Sequence, residues 1–357
     1  MNYTADERAI IWLCACTGLD DRVRAALLRA AKSPADLFEN WNEIFGAVIK
    51  ERENGLYTID RSTRESALSA FLKELEARGR FAVTIVTSDY PEALKHIPVP
   101  PLMLYGEGNR ELLSKRKFCI VGSRLTPPWA EKQAKVVSER LSEKFAVVTG
   151  LAEGGDSAAI AGAIPSGNLI CVLPNGLNEC YPAAHLSLKE RIAKKGLLLS
   201  EYPLNESVKK FYFHERNRIL AGLSEGVLVV SAGAKSGALI TANCALEYGR
   251  DVFAFPHNLG SSQGAGCNEL IKNGAYLATG AEDIFSCYGI ETKKRAAVEL
   301  SPEEETILAI LREAGELHAA VIAERAGVPV YEATATLSAL EMKNLAVKSG
   351  GNKYASV

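Results

Sequence analysis

The sequence predicts an α/β protein. Its centre is a Rossmann-like, doubly wound, mostly parallel sheet, with a small N-terminal helical domain before it and a C-terminal winged-helix domain after it. Three observations carry this. From Lys117 to about Tyr288, short segments that are apolar on both sides of the alternation are separated by helical stretches, as in buried parallel sheets. The first two of these, Phe118 to Val121 and Ala146 to Thr149, each run into a glycine turn that opens a helix. The last 57 or so residues read as three helices and a glycine-turned hairpin.

Composition sets the frame. The chain has 357 residues, 47% hydrophobic and 24% charged, with a formal net charge of −2, which suits two or three domains with sizeable cores. That charge excludes a uniformly basic nucleic-acid binder and leaves room for a local basic groove. No apolar run approaches the roughly 18 residues of a membrane span, and the start lacks the basic and apolar regions of a signal peptide. A cytoplasmic protein with no membrane partner is expected. The eight cysteines are scattered; Cys119, Cys171 and Cys244 lie in apolar segments and read as small buried hydrophobes. Cys14 and Cys16 lack a second Cys/His pair, and the five histidines are dispersed, so neither a metal nor a cofactor is expected.

Residues 1–80 form the helical domain: Asp6, Asp20, Ser33 and Ser62 introduce runs with apolar positions every three to four residues. The second domain, 81–290, begins with the strand formers Phe81 to Thr87, followed by the proline-rich Ile97 to Tyr105, expected as an ordered connector. Further strands are expected at Leu169 to Leu173, Leu197 to Tyr202, Gly226 to Ser231, Val252 to Phe255 and Ala275 to Ala278. A polar link at Glu291 to Lys294 precedes the third domain, 300–357. There Ser301-Pro-Glu-Glu-Glu caps one helix, Val321 to Gly327 and Tyr331 to Leu345 supply two more, and Ala346 to Tyr354 turns the hairpin.

A glycine turn after the first strand suggests a dinucleotide, but that fingerprint needs G-x-G-x-x-G and a ribose-binding acid about 20 residues on. Here the turn is Gly122-Ser123-Arg124 and the next strand ends at Thr149-Gly150, so the requirement fails. Arg124 puts a cationic fork where a pyrophosphate would lie, which suits a phosphodiester backbone; pairing with Glu153 or Asp156 is the structural alternative. Asp156 itself reads as the cap of the next helix. A second cluster runs Lys209-Lys210-Phe211-Tyr212-Phe213, then Arg216-Asn217-Arg218 at a helix start. Cations interleaved with rings are what a single strand requires, because bases stack on aromatic faces while Lys and Arg neutralise phosphates. One of Phe211 and Phe213 is expected in the core. Third, Lys235, Ser236 and Gly237, with Thr241 a turn further on, form either an anion nest at a helix start or a plain capped loop. The polar loop Ser261 to Asn268 is expected to cover the site. Glu201, Glu215 and Glu247 are the available acids or bases, and the first two are equally explained as partners of Arg216 and Arg218.

Taken together, Ile120-Val-Gly-Ser-Arg124, Gly150-Leu-Ala-x-Gly-x-Asp156, Leu199-Ser-Glu-Tyr-Pro203, Arg216-Asn-Arg-Ile-Leu-Ala-Gly-Leu-Ser224, Ser236-Gly-Ala-Leu-Ile-Thr-Ala242 and Glu247-Tyr-Gly-Arg-Asp-Val-Phe253 resemble the DNA-processing protein A (DprA, or Smf) family in order and spacing. The resemblance spans nearly the whole chain. It implies a bacterial cytoplasmic protein that binds single-stranded DNA without degrading it, forms a homodimer, and helps load RecA in natural transformation and recombination. It also implies a DNA pocket at Arg124, Lys209 or Lys210, and Phe211 or Phe213. The chain departs from the family pattern at Glu153, Gly155, Ile160 and His214. A rival reading is an enzyme: Ser236-Gly237, Thr241 and Glu247 are loosely similar to Rossmann-like nucleotide phosphoribohydrolases. A third is a regulator that binds DNA through its winged helix.

Overall fold

The computed structural model describes residues 2–48, 60–291, 300–343 and 345–356; the expected polar link lies, from residue 292, outside them. Five helices come first: α1 (Ala5–Ala15), α2 (Asp21–Ala30), α3 (Pro34–Glu39), α4 (Trp41–Val48) and α5 (Arg61–Ala77). Their starts follow from local chemistry. Thr4 and Glu7 form a reciprocal capping box on α1, and Asp20, Ser33 and Asp60 each accept the backbone N–H three residues on. Trp12, fully buried, packs edge-on against Trp41 and Phe38.

The central sheet contains β1 (Arg80–Thr84), β2 (Met103–Gly108), β3 (Lys117–Gly122), β4 (Ala146–Thr149), β5 (Leu169–Leu173), β6 (Leu197–Ser200), β7 (Gly226–Ser231), β8 (Asp251–Ala254) and β9 (Tyr276–Leu277). Its helices are α6 (Glu92–Lys95), α7 (Pro128–Leu141), α8 (Gly155–Ala163), α9 (Leu186–Lys195), α10 (Tyr212–Leu223), α11 (Ala238–Glu247) and α12 (Ala265–Lys272). The spatial order is β1-β2-β6-β5-β4-β3-β7-β8-β9. Strands β3 to β9 pair in parallel, and β2 and β1 add an antiparallel edge beside β6. Every residue of β4, β5, β6 and β7 is buried, which is why these strands read as continuous apolar runs.

β2 lies where the connector is expected to run through Tyr105. Extended prolines do end at Pro101, and Met103 onwards is free to donate to a ladder; its partners, β1 and β6, lie on opposite sides of it in the sheet. The N-terminal helices and the sheet form one compact unit, Met1–Ala281. The Ala82 N–H of β1 donates to the Tyr3 hydroxyl at 3.0 Å, and Phe71 of α5 packs against Tyr105 of β2.

The second unit, Glu282–Val357, starts within α13 (Ala281–Cys287) and holds α14 (Pro302–Ala314), β10 (Leu317–His318), α15 (Ala319–Ala326), α16 (Val330–Met342), β11 (Ala346–Ser349) and β12 (Lys353–Ser356). The hairpin β11–β12 is joined by β10, and Ile307, Leu311, Ile322, Leu337, Leu340 and Tyr354 fill a core of its own. Ser301 and Glu304 make the expected capping box on α14. This is the winged-helix arrangement anticipated from the sequence. Among the described residues no helix is long and apolar enough to cross a membrane.

Candidate functional site

In the sheet, β4, β5 and β6 lie to one side of β3, and β7, β8 and β9 to the other. The chain therefore winds away from β3 in both directions, and a crevice must open at the carboxyl ends of β3 and β7. A cavity of about 310 Å³ lies there, lined from three stretches distant in sequence.

The first wall is the β3 turn. Gly122, Ser123 and Arg124 line it, and Gly122 faces the start of α8: a Cβ on Gly122 would stand 2.8 Å from Gly155 Cα, and one on Gly155 2.5 Å from Gly122 Cα. Backbone packs on backbone, so Gly155 cannot carry an apolar side chain here without movement. Arg124 is exposed, and no carboxylate of the described residues lies within ion-pairing distance of it. Its guanidinium instead sits 5.2 Å from the ring centre of Phe213 and 5.8 Å from that of Tyr181. The alternative in which Arg124 pairs with Glu153 or Asp156 is not what forms.

The floor is a buried pair of opposite charges. Asp156 and Arg216 are each 4% exposed, and Gly150 is wedged between them: a Cβ there would stand 2.4 Å from Asp156 Oδ2 and 2.6 Å from Arg216 Nη1. The Ala152 N–H donates to Asp156, and Arg216 donates to the Val172 carbonyl and to Asn217 Oδ1. Burial pushes the Asp156 carboxyl above its usual range, and the Arg216 charge opposes that rise. Asp156 is therefore a fixture of the β4–α8 turn and not the helix cap expected; the N-cap position is Gly154, at φ 71°. Arg216 lines the cavity, but its charge is engaged within the protein.

The second wall is the start of α10. Lys210, Phe213 and His214 line it, with Asn217 and Leu220 deeper. Lys210 is exposed and has no carboxylate of the described residues within ion-pairing distance. Lys209 does not join it: its Nζ pairs with Glu206 at 2.6 Å and reaches the Tyr212 hydroxyl at 3.0 Å, which holds the ammonium above its usual range. Of the two phenylalanines, Phe213 is half-buried against the cavity, while Phe211, 55% exposed, packs on Tyr212 outside it. Arg218 also falls outside, paired with Glu201 at 2.6 Å, because it lies two residues along a helix from Arg216 and so points to another side.

The third wall is the start of α11. Ser236, Gly237 and Thr241 line it, and Asn217 Nδ2 donates to the Gly237 carbonyl at 3.3 Å, tying α10 to α11. Gly237 is the N-cap and Ser236 Oγ accepts the Ala238 N–H at 3.3 Å, so the stretch forms the capped loop, with the positive end of the α11 dipole at the cavity lining. Lys235 is exposed one residue beyond the lining. Glu201 is committed to Arg218, Glu215 accepts from the Tyr202 hydroxyl, and Glu247 is exposed nine residues, or about 14 Å, along α11. None of the three lines the cavity. Nor does the loop from Ser261 cover it. Gln263 Nε2 donates to the Leu125 carbonyl, and Ser231 Oγ to the Gln263 carbonyl, which fastens that loop beside the β3 turn.

Of the candidates, Gly122, Ser123, Arg124, Lys210, Phe213, Arg216, Asn217, Ser236, Gly237 and Thr241 come together, whereas Gly150, Lys209, Phe211, Arg218 and Lys235 do not line the cavity. Tyr181, absent from the sequence reading, stands 5.4 Å from Phe213 in an edge-on ring contact. The one signal for it was its place shortly after a strand's carboxyl end.

A doubly wound sheet whose switch point carries an arginine and a lysine with no carboxylate partner among the described residues, beside the Phe213 ring, and which lacks the dinucleotide fingerprint, defines a Rossmann-type protein. The chain belongs to the DNA recombination-mediator protein A family: that family's sequence profile matches residues 81–289, and the DprA winged-helix profile matches 291–352. It is 40% identical over 204 residues to DNA processing protein DprA of Streptococcus pneumoniae, covering 57% of this chain and 72% of the relative. It is 36% identical over 281 residues to Protein Smf of Escherichia coli, covering 75% and 72%. Among solved structures it is similar to the Streptococcus pneumoniae protein (TM-score 0.66, 32% identity, 82% of this chain and all of that one). It is also similar to DNA processing protein A of Helicobacter pylori, described for its single-stranded DNA binding mode (TM-score 0.54, 29% identity, 58% and 95%).

Proposed function

We propose that this chain binds single-stranded DNA in the switch-point crevice, without cutting it, and serves DNA recombination. The observation that carries this reading is the pair of uncompensated cations, Arg124 and Lys210, on facing walls beside an aromatic surface, above a floor whose charges are already matched. Phosphates are drawn to the cations and the α11 N-terminus, while bases find rings that read no sequence. The Helicobacter pylori relative supports the ligand. The family resemblance supports the rest: a cytoplasmic homodimer that hands the strand to RecA during natural transformation. The non-enzymatic role is supported by Glu201, Glu215 and Glu247 all lying away from the cavity; the phosphoribohydrolase reading needs Glu247 inside it.

The test is fluorescence anisotropy with single- and double-stranded oligonucleotides over a salt series, comparing wild type with Arg124→Ala. The expected result is preference for the single strand, a loss on the order of tenfold in the variant, and a salt slope lower by about 0.7. Equal affinity and slope in the variant overturn the groove.

A further inference from the structure

We propose that Tyr181 is a base-stacking residue of the crevice, the second ring of a platform whose first ring is Phe213 and whose cation is Arg124. This rests on the single-strand reading above and names a residue that reading does not require.

The geometry is specific. Tyr181 and Phe213 meet at 71°, ring centres 5.4 Å apart, and the Arg124 guanidinium lies within 6 Å of both. The edge-on contact leaves Tyr181 37% exposed. An exposed ring on a loop ordinarily moves, and stacking on a mobile ring loses ordering entropy that a fixed ring does not. This loop is fixed. Lys189, 7% exposed, donates from Nζ to the carbonyls of Leu177 and Glu179, both at 2.6 Å. The buried Asn175 donates to the carbonyls of Gly176 and Glu179. His185 Nδ1 meets the Leu151 carbonyl at 2.9 Å, on the turn that leads to Asp156. The Gly176 and Asn178 N–H groups donate to the carbonyls of Glu206 and Leu204, in the segment that leads to Lys210. A buried ammonium satisfied by carbonyls costs desolvation. These bonds hold in place a loop whose exposed ring, itself outside the cavity lining, packs on two residues that line it, Phe213 and Arg124.

The experiment measures binding of wild type, Tyr181→Leu and Tyr181→Phe to a dT oligonucleotide and to an abasic strand of the same length, each over a salt series, with thermal melting as the folding control. For dT, Tyr181→Leu is expected to lose on the order of 5- to 150-fold with an unchanged salt slope, and Tyr181→Phe to stay within about twofold of wild type. On the abasic strand all three proteins are expected to bind alike. Unchanged dT affinity in Tyr181→Leu, with wild type binding, overturns the stacking role alone. An equal loss on the abasic strand also overturns it, since it would mean that Tyr181 merely positions Arg124. No single-strand binding by wild type overturns the crevice itself and this role with it.

Discussion

Two neighbouring lysines offer the sharpest test of how the crevice works, because the sequence makes them equivalent and the structure does not. Lys210 lines the cavity with an uncompensated charge, whereas Lys209 is held by Glu206 and Tyr212 outside it. Each phosphate neutralised on a single strand contributes about 0.7 to the slope of log affinity against log salt. Lys210→Ala should therefore lower the slope by about 0.7, so that a fourfold rise in salt weakens wild type about 2.6-fold more than the variant. Lys209→Ala removes a cation and frees Glu206 together, and its slope should stay within about 0.2 of wild type. Anisotropy titrations of a labelled dT oligonucleotide between 50 and 200 mM salt (about the range over which such slopes are read) measure both. If Lys209→Ala lowers the slope as far as Lys210→Ala, ion pairing has not withdrawn Lys209 from the DNA, and the assignment of the second wall is wrong.

Two further outcomes concern stability. Gly150→Ala places a methyl group 2.4 Å from Asp156 Oδ2 and 2.6 Å from Arg216 Nη1, so it should cost about 1–3 kcal/mol, seen as a lower urea midpoint; a change under about 0.5 kcal/mol would show that the pair yields freely. Lys117, 7% exposed and donating to the carbonyls of Leu113 and Lys115, has its pKa lowered by burial to about 8. Between pH 8 and the ordinary lysine value the unfolded chain holds more protons, so stability contributed by this residue rises with pH, by at most about 3 kcal/mol, and is least below pH 8. Urea melts at about pH 7.5 and 10 should show wild type gaining on Lys117→Met; parallel curves would refute the shift.

Most of the fold was legible because its signals are local. Capping residues, continuous apolar strands and glycine turns follow from the chemistry of a few consecutive residues, and Asp20, Ser33 and Ser301 behave as their spacing predicts, whereas the caps expected at Asp6 and Ser62 fall two residues earlier, at Thr4 and Asp60. β2 was not legible, since prolines mask its start and its partners are set by the sheet. The winged helix shows the same divide: its helices and hairpin are local, and α16 carries Glu332 and Glu341 as its only charged residues, which argues against DNA reading by that helix.

By itself, then, the sequence determined the family, the doubly wound sheet and the two stretches, Gly122-Ser123-Arg124 and Lys209 to Arg218, that supply cations and rings. Only the tertiary structure decided which of those charges remain available. In the sequence Arg216 and Arg218 flank Asn217 as an equivalent pair. Helical geometry sends one to a buried Asp156 and the other to Glu201, while Arg124 is left over two rings. A cation's availability depends on the carboxylates that folding brings near it, and those come from residues 17 to 60 positions away. Tyr181 was hidden for the same reason: a ring becomes a platform only when a distant ring and guanidinium are packed beside it.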